Sequence, residues 1–189
     1  KHTSIVDERC EQMILKGLLK ETSDLSLSGR MPDMAARAIG YRQTLDYLSD
    51  ESLVASEEDR FQQFLNDFST ATRRYAKKQM SWFRKDKEFM FVPVDLSAVK
   101  TDRVDATTRV IQKYCDMSRE EYERNLYAND GDSVRCKQTN EEQGNKMKFY
   151  HFQRHILKEN SREFESALSE ALECRQQMHA QKRRRVDQP

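Results

Sequence analysis

The sequence FQQFLNDFSTATRRYAKKQMSWFR, residues 61–84, contains no proline or glycine and repeats its apolar residues at helical intervals. An α-helix turns by about 100° per residue, which places these side chains on one side. They are Phe61, Phe64, Leu65, Phe68, Thr72, Tyr75, Ala76, Gln79, Trp82 and Phe83. Two adjoining stripes carry basic residues, namely Arg73, Lys77 and Arg84, and Arg74, Lys78 and Lys85. The stretch therefore predicts a long helix whose first half is buried on one face and whose second half is basic beside aromatic residues.

The basic second half of this helix allows two interpretations. Positive charge next to aromatic side chains suits a nucleic acid, since lysine and arginine bind phosphates and aromatic rings stack on bases. The same pattern is also typical of an amphipathic helix whose charged residues simply face solvent. The net charge of the whole chain is +1, so any attraction for nucleic acid must come from a local patch.

The composition favours a helical, polar protein. The 189 residues include 5 glycines and 3 prolines, and this scarcity favours helix over sheet. Charged residues make up 34% and hydrophobic residues 37%, so we expect a thin core. No apolar run is long enough to span a bilayer, and the opening residues do not resemble a signal peptide. The four cysteines form no C-x-x-C pair, which favours reduced thiols in the cytosol or nucleus.

Two helices are predicted before the long one. Residues 4–27 repeat apolar residues at helical spacing, and Gly17 inside this helix is explained equally well by a close neighbour or ligand or by chance. Residues 34–48 form the second helix, with Asp33 as its N-cap. Gly40 interrupts this second pattern, where a glycine would let another backbone or a ligand approach closely.

From Ser56 onward the pattern predicts the long helix, one strand and three further helices. Ser56 and the acidic residues after it are a typical helix start, and we expect this helix to end at residues 85–87. EFMFVPV (88–94) predicts a short strand, whose hydrogen-bonding partners must lie elsewhere. The further helices are predicted over residues 101–115, 118–127 and 146–183, with a capping box at Ser118.

Three blocks of this sequence resemble, in order, the C-terminal half of the tRNA dimethylallyltransferases, also called tRNA isopentenyltransferases. They are Arg9-x-x-x-Met13-x-x-x-Gly17-Leu18-x-x-Glu21, RAIGYRQ (37–43) and TRRYAKKQMSWFR (72–84). The resemblance covers about residues 5–95. It implies a mainly α chain, in which a helical tRNA-binding portion carries one terminal strand of a P-loop-type α/β fold, at residues 92–94, and an α-helical extension follows.

The resemblance also implies a reaction and a set of site residues. Members of this family transfer a dimethylallyl group from dimethylallyl diphosphate to N6 of the adenosine 3′ of the anticodon, with the base flipped out of the loop and Mg²⁺ as cofactor. Arg9 matches an arginine near the diphosphate, where a planar donor fork suits phosphate oxygens. The positions that match tRNA-binding residues are Arg37, Gly40, Tyr41, Arg42, Lys77, Lys78, Gln79, Trp82 and Arg84.

The family's phosphate loop and the aspartate that acts as general base belong to its N-terminal half, and neither is found in this sequence. We therefore expect residues 1–95 to be the C-terminal half of the catalytic and tRNA-binding region, and residues 96–189 to be the helical extension. On this interpretation the chain holds no catalytic residue and no metal ligand, transfers no dimethylallyl group by itself, and has the missing N-terminal half as its partner. The alternative is a non-catalytic RNA-binding or adaptor module derived from that family.

The extension contains two further patterns. Cys136 and His151-x-x-x-His155 match half of the Cys-Cys-His-His zinc finger that many eukaryotic members carry, but the second cysteine is missing, and ordinary helical histidines are the alternative. The run KRRR (182–185) suits a nuclear-import signal, a nucleic-acid contact or a solvated helix end. The expected location is cytoplasmic or, through this run, nuclear, and a mitochondrial location stays open.

Overall fold

A computed structural model describes residues 2–52, 56–86, 94, 97–128 and 153–186. These residues form eight α-helices and no strand, so the predicted mainly α class is confirmed. The helices are α1 His2–Leu15, α2 Leu18–Leu27, α3 Asp33–Ala36, α4 Tyr41–Ser49, α5 Glu57–Lys85, α6 Lys100–Cys115, α7 Arg119–Ala128 and α8 Arg162–Val186. The strand predicted at 88–94 lies, apart from its last residue, outside the described residues.

The chain divides into two compact units. Unit 1 contains residues 1–78 and 151–189, and unit 2 contains residues 79–150. Helix α5 therefore contributes its longer, first part to unit 1 and its last residues to unit 2. The predicted domain boundary after residue 95 concerned the extent of the family resemblance, and it stays a prediction.

The core of unit 1 is built around the first half of α5. Phe61, Phe64, Leu65 and Phe68 are each at most 4% exposed, so the predicted buried face is confirmed. The ring of Tyr47 from α4 stacks on Phe64 at 5.0 Å between centroids, and Phe164 from α8 lies 5.5 Å from Phe61. Burial of each such side chain contributes about 1.5–3 kcal/mol, which makes this aromatic cluster the main source of stability for α5.

The predicted continuous helix over residues 4–27 is wrong, because it breaks at Gly17. This glycine has a φ of +95°, and its N–H donates to the carbonyl of Ile14, so α1 ends before it and α2 begins after it. A Cβ added at this position would have no neighbour within 4 Å. The glycine is therefore required by the backbone conformation, which L-residues rarely adopt, rather than by a close contact.

The predicted helix over residues 34–48 also breaks, at Gly40. Its φ is +99°, its N–H donates to Oε1 of Gln43 at 2.9 Å, and its carbonyl accepts from the Thr44 hydroxyl. The short helix α3 precedes this break and α4 follows it. The N-cap of α3 is Pro32, so the predicted cap at Asp33 is wrong by one position.

The predicted helix over residues 146–183 is wrong between residues 153 and 161, which are irregular; α8 begins only at Arg162. The physical reason lies in α1. The buried carboxylate of Glu11 accepts the backbone N–H groups of His155, Ile156 and Leu157, at distances of 2.5–3.2 Å. Amides that turn toward one carboxylate cannot form the ladder of an α-helix.

Helix α8 packs against α1, α2 and α4. Its buried side chains Phe164, Ala167, Ala171 and Cys174 belong to the same apolar cluster as those of α1, α2, α4 and α5. The C-terminal helix is therefore part of the core of unit 1.

Several helix termini match the predicted ones. The Ser56 hydroxyl accepts the N–H of Asp59 at the start of α5, and α5 ends at Lys85 as expected. The Ser118 hydroxyl accepts the N–H of Glu121 at the start of α7. In unit 2, α6 has no fully buried residue among those described, and Tyr114 packs edge-on against Tyr122 at 6.2 Å.

Candidate nucleic-acid interface

The second half of α5 turns its basic side chains to solvent within unit 1. Arg74, Tyr75, Lys77 and Lys78 are all exposed, and Tyr75 keeps 51% of its accessible surface. The last fully buried phenylalanine of the helix is Phe68, so the buried apolar face ends before Arg74, the first of these four residues. The four residues, which we call the α5 basic surface, combine three cations with one accessible ring. That combination can bind phosphates and a stacked base.

Arg73 does not belong to this surface, although the helical pattern placed it on a basic stripe. Its Nη1 donates to Oδ1 of Asp7 at 2.7 Å and its Nη2 donates to the Thr70 hydroxyl at 2.9 Å. The Asp7 side chain is fully buried and that of Arg73 is 16% exposed. Arg73 thus neutralises a buried carboxylate and ties α5 to α1. A buried ion pair of this kind is costly to break from one side, by about 3–5 kcal/mol.

The RAIGYRQ block supplies exposed cations around a buried glycine. Arg37 and Arg42 are exposed, whereas Gly40 is buried against α5, where an added Cβ would lie 3.5 Å from the Phe68 ring. The Tyr41 hydroxyl donates to Oε1 of Glu21 at 2.8 Å, and this hydrogen bond raises the pKa of Tyr41 above its ordinary value. Gly40 shapes the backbone, while the exposed side chains of Arg37 and Arg42 can reach a ligand.

Arg9 lies on α1 between two inward-facing carboxylates. Asp7 and Glu11 are buried, and the Arg9 side chain is exposed with no hydrogen bond or ion pair to any described residue. The ion pair between Asp7 and Arg73 holds this part of α1 against α5. Arg73 lies four residues before Lys77, or about 6 Å along the α5 axis. An exposed guanidinium of this kind can bind an anionic group.

In unit 2, the last turns of α5 expose Gln79 and Trp82. Trp82 retains 57% of its accessible surface, and its ring lies 4.9 Å from that of Phe83 at a steep angle. Arg84 lies within the same helix, but its side chain is outside the described residues. Trp82 is thus accessible rather than part of a core, as a base-stacking side chain must be.

The sequence patterns missed Asp7 and Glu11, which organise this region. Both recur at helical spacing with the buried Cys10 and Ile14, so a helical wheel of α1 places two carboxylates on its apolar face. Buried carboxylates need partners, and this was the available signal. What it could not reveal was the partners, Arg73 and the amides of residues 155–157, which are remote in sequence.

A metal site is not evident in the part of the chain that is described. These residues contain no group of three or more His, Cys, Asp or Glu side chains placed to hold an ion. Nε2 of His155 lies 3.1 Å from the Ser4 hydroxyl, and this histidine is not in a helix. Cys136 and His151, on which the zinc-finger hypothesis depends, lie outside the described residues. None of the described helices is apolar and long enough to cross a membrane.

Comparison with known proteins assigns the region that carries these side chains. The family model described as IPP transferase matches residues 1–86, which include α1 to α5. Residues 1–86 are thus similar to the IPP transferase family. The resemblance inferred from the three sequence blocks is thereby confirmed.

Curated relatives agree with this assignment. A tRNA dimethylallyltransferase of Protochlamydia amoebophila is 40% identical over 92 residues, which are 48% of this chain and 26% of the relative. The tRNA dimethylallyltransferase 9 of Arabidopsis thaliana is 44% identical over 85 residues, 42% of this chain and 18% of the relative. A tRNA dimethylallyltransferase of Corynebacterium jeikeium is 36% identical over 107 residues, which are 56% of this chain and 31% of the relative. The chain thus spans less than a third of the length of each relative, and no solved structure is significantly similar to it.

Proposed function

We propose that this chain is the tRNA-binding portion of a tRNA dimethylallyltransferase, and that it binds the anticodon stem-loop. The observation that carries the proposal is the α5 basic surface, which lies within the residues that match the family and which the Asp7–Arg73 ion pair fixes to α1. Arg37, Arg42, Gln79, Trp82 and Arg84 complete the proposed tRNA contacts, with Gly40 and Tyr41 shaping the α4 start. The proposed location is cytoplasmic or nuclear.

In the proposed reaction, N6 of the adenosine attacks C1 of the dimethylallyl group. The bond between that carbon and the diphosphate oxygen breaks, the diphosphate leaves with the electron pair, and a base takes the proton from N6. Arg9 is proposed to bind the diphosphate, because its guanidinium is exposed and can donate two parallel hydrogen bonds to phosphate oxygens. The base and the phosphate loop are assigned to another portion of the intact protein.

Mg²⁺ is the cofactor that the family resemblance implies. The described residues do not fit it, since no cluster of carboxylates or other ligands is present among them. We therefore assign the ion mainly to the N-terminal portion of the intact protein, and no step of the proposed reaction depends on a metal held by α1 to α8.

The binding proposal is tested by removing positive charge from α5. Changing Lys77 and Lys78 together to Gln is expected to weaken binding of a tRNA transcript and to flatten its salt dependence, by about one unit of slope for each phosphate that is no longer neutralised. The control is the double change of Lys16 and Lys158 to Gln, which removes equal charge from exposed positions elsewhere in unit 1. Equal affinities of the two folded variants would contradict the tRNA-binding assignment.

The enzymatic part of the proposal is tested by transfer of labelled dimethylallyl from its diphosphate to tRNA. We expect no turnover by the 189-residue chain alone, and turnover when the N-terminal portion of a tRNA dimethylallyltransferase is supplied. Failure of the combined portions despite tRNA binding would favour the non-catalytic RNA-binding module instead. Turnover by this chain alone would refute the assignment of the catalytic groups to another portion.

A further inference from the structure

The basic C-terminal end of α8 is held firmly against the rest of unit 1. Nε2 of Gln181 donates to the Leu27 carbonyl at 2.9 Å, at the end of α2. Nε2 of His179 lies 3.0 Å from the Leu48 carbonyl, near the end of α4, and Lys182 forms an ion pair with Glu51 at 2.7 Å. This part of the basic run is therefore a fixed surface rather than a loose tail.

The basic residues of this helix end fall into two groups. Arg175 and Lys182 are engaged within the chain, since Arg175 pairs with Glu57 and also donates to the Asp50 carbonyl. Arg183 and Arg184 are exposed, and neither forms a hydrogen bond or ion pair with a described residue. Two guanidinium groups are therefore exposed without a hydrogen bond or ion pair among the described residues. The pKa of Glu51 is lowered first by its hydrogen bond with Lys182, and Arg183 also helps to lower it.

A groove of about 480 Å³ runs along the same part of α8. The residues that line it include Arg175, His179 and Arg183, spaced one turn apart over about 12 Å of helix. Glu57 is the acidic residue of its lining, and that carboxylate is paired with Arg175. The groove therefore opens beside Arg183, and Arg184 follows it at the same end of α8.

We propose that Arg183 and Arg184, at the anchored end of α8, form a second contact surface for the phosphate backbone of RNA. His179, one turn before Arg183, contacts the Leu48 carbonyl near the C-terminal end of α4, whereas Arg42 lies six residues before Leu48, or about 9 Å along the α4 axis. Helix α8 lies beyond the residues that match the IPP transferase model. The choice of RNA as the polyanion rests on the proposed function; the surface itself does not.

The test uses the full chain with Arg183 and Arg184 both changed to Gln. Affinity for a tRNA transcript at low salt should fall about tenfold, and the salt dependence should flatten by up to about two units of slope. The matched control changes Lys158 and Arg162 to Gln, which removes the same charge from exposed positions just before and at the N-terminal end of α8. The pair of Arg-to-Lys changes at 183 and 184 should retain the parent salt dependence, because the charge is kept.

The outcomes separate this proposal from the preceding one. Loss of affinity in the Arg183/Arg184 variant, with an unchanged melting temperature and an unaffected control, supports the second surface even if the Lys77/Lys78 variant binds normally. Affinity equal to that of the control would overturn it and leave the two arginines as a solvated helix end. Loss of binding to a single-stranded DNA of the same length, with binding to the tRNA transcript unchanged, would overturn the assignment to RNA.

Discussion

Removal of the Glu11 carboxylate tests how strongly the C-terminal segment is held to α1. This side chain is 1% exposed and accepts hydrogen bonds from three consecutive amides that lie about 145 residues away along the chain. We expect Glu11→Ala to destabilise unit 1 severely. The amide of Leu157 is buried and would lose its partner, whereas those of His155 and Ile156 are only partly buried and could reach water.

The magnitude follows from these hydrogen bonds. Those to a charged group contribute about 1.5–3 kcal/mol each, and a buried donor left without a partner costs about 1–3 kcal/mol. Removing the carboxylate also removes its own cost of burial, which offsets part of the loss. We therefore expect Glu11→Ala to cost about 3–5 kcal/mol and Glu11→Gln about 1–3 kcal/mol, since a glutamine keeps one acceptor oxygen.

The measurement is urea unfolding followed by circular dichroism, together with proteolytic cleavage within residues 153–161. Glu8→Ala is the control, because Glu8 is exposed one turn earlier on α1 and bonds only to Gln12 among the described residues. The Glu11 variants should unfold at lower urea and be cleaved faster between residues 153 and 161. A free energy of unfolding for Glu11→Ala within about 0.5 kcal/mol of the Glu8→Ala value would refute this reasoning.

Two further predictions concern α4. Tyr47 is buried, which raises the pKa of its hydroxyl, so the folded chain holds a proton that the unfolded chain releases above about pH 10. This contribution to stability is complete below that pH and is lost as the pH rises. In urea titrations, Tyr47→Phe should therefore reduce the fall in the free energy of unfolding at alkaline pH. The control Tyr75→Phe changes an exposed tyrosine and should leave that fall unchanged. Gly40→Ala should lower stability by about 1–3 kcal/mol because of its strained φ of +99° and ψ of −70°. Gly29→Ala, at a φ of +67° with open space around it, should cost less by the same assay, and equal losses would contradict the strain argument.

Local patterns predicted the long helix well. The apolar spacing of α5, its serine cap and its end at Lys85 depend on residues a few positions apart, and all three were found. The exposure of Lys77 and Lys78 followed from the same periodicity. These features are local, because a helix is decided by its propensity, its caps and one buried face.

The errors share a different origin. A glycine inside a helical pattern does not reveal its φ, so the local pattern predicted continuous helix across the breaks at Gly17 and Gly40. The α8 helix begins later than predicted because Glu11 binds the preceding amides. Arg73 is absent from the basic surface because it pairs with Asp7. Both partners are separated from the residues they affect by 66 positions or more, and no local pattern records such pairings.

The position of α8 in the core has a consequence for the newly made chain. The 72 residues of unit 2, counted from 79 through 150, are synthesised between the two segments of unit 1. At a translation rate of roughly 5–20 residues per second, the synthesis of these residues takes on the order of 4–15 s. The apolar sides of α2 and α4 remain uncovered by α8 for at least that time. During that interval the nascent chain exposes apolar surfaces that favour aggregation or chaperone binding, and unit 1 cannot finish folding until α8 has been synthesised.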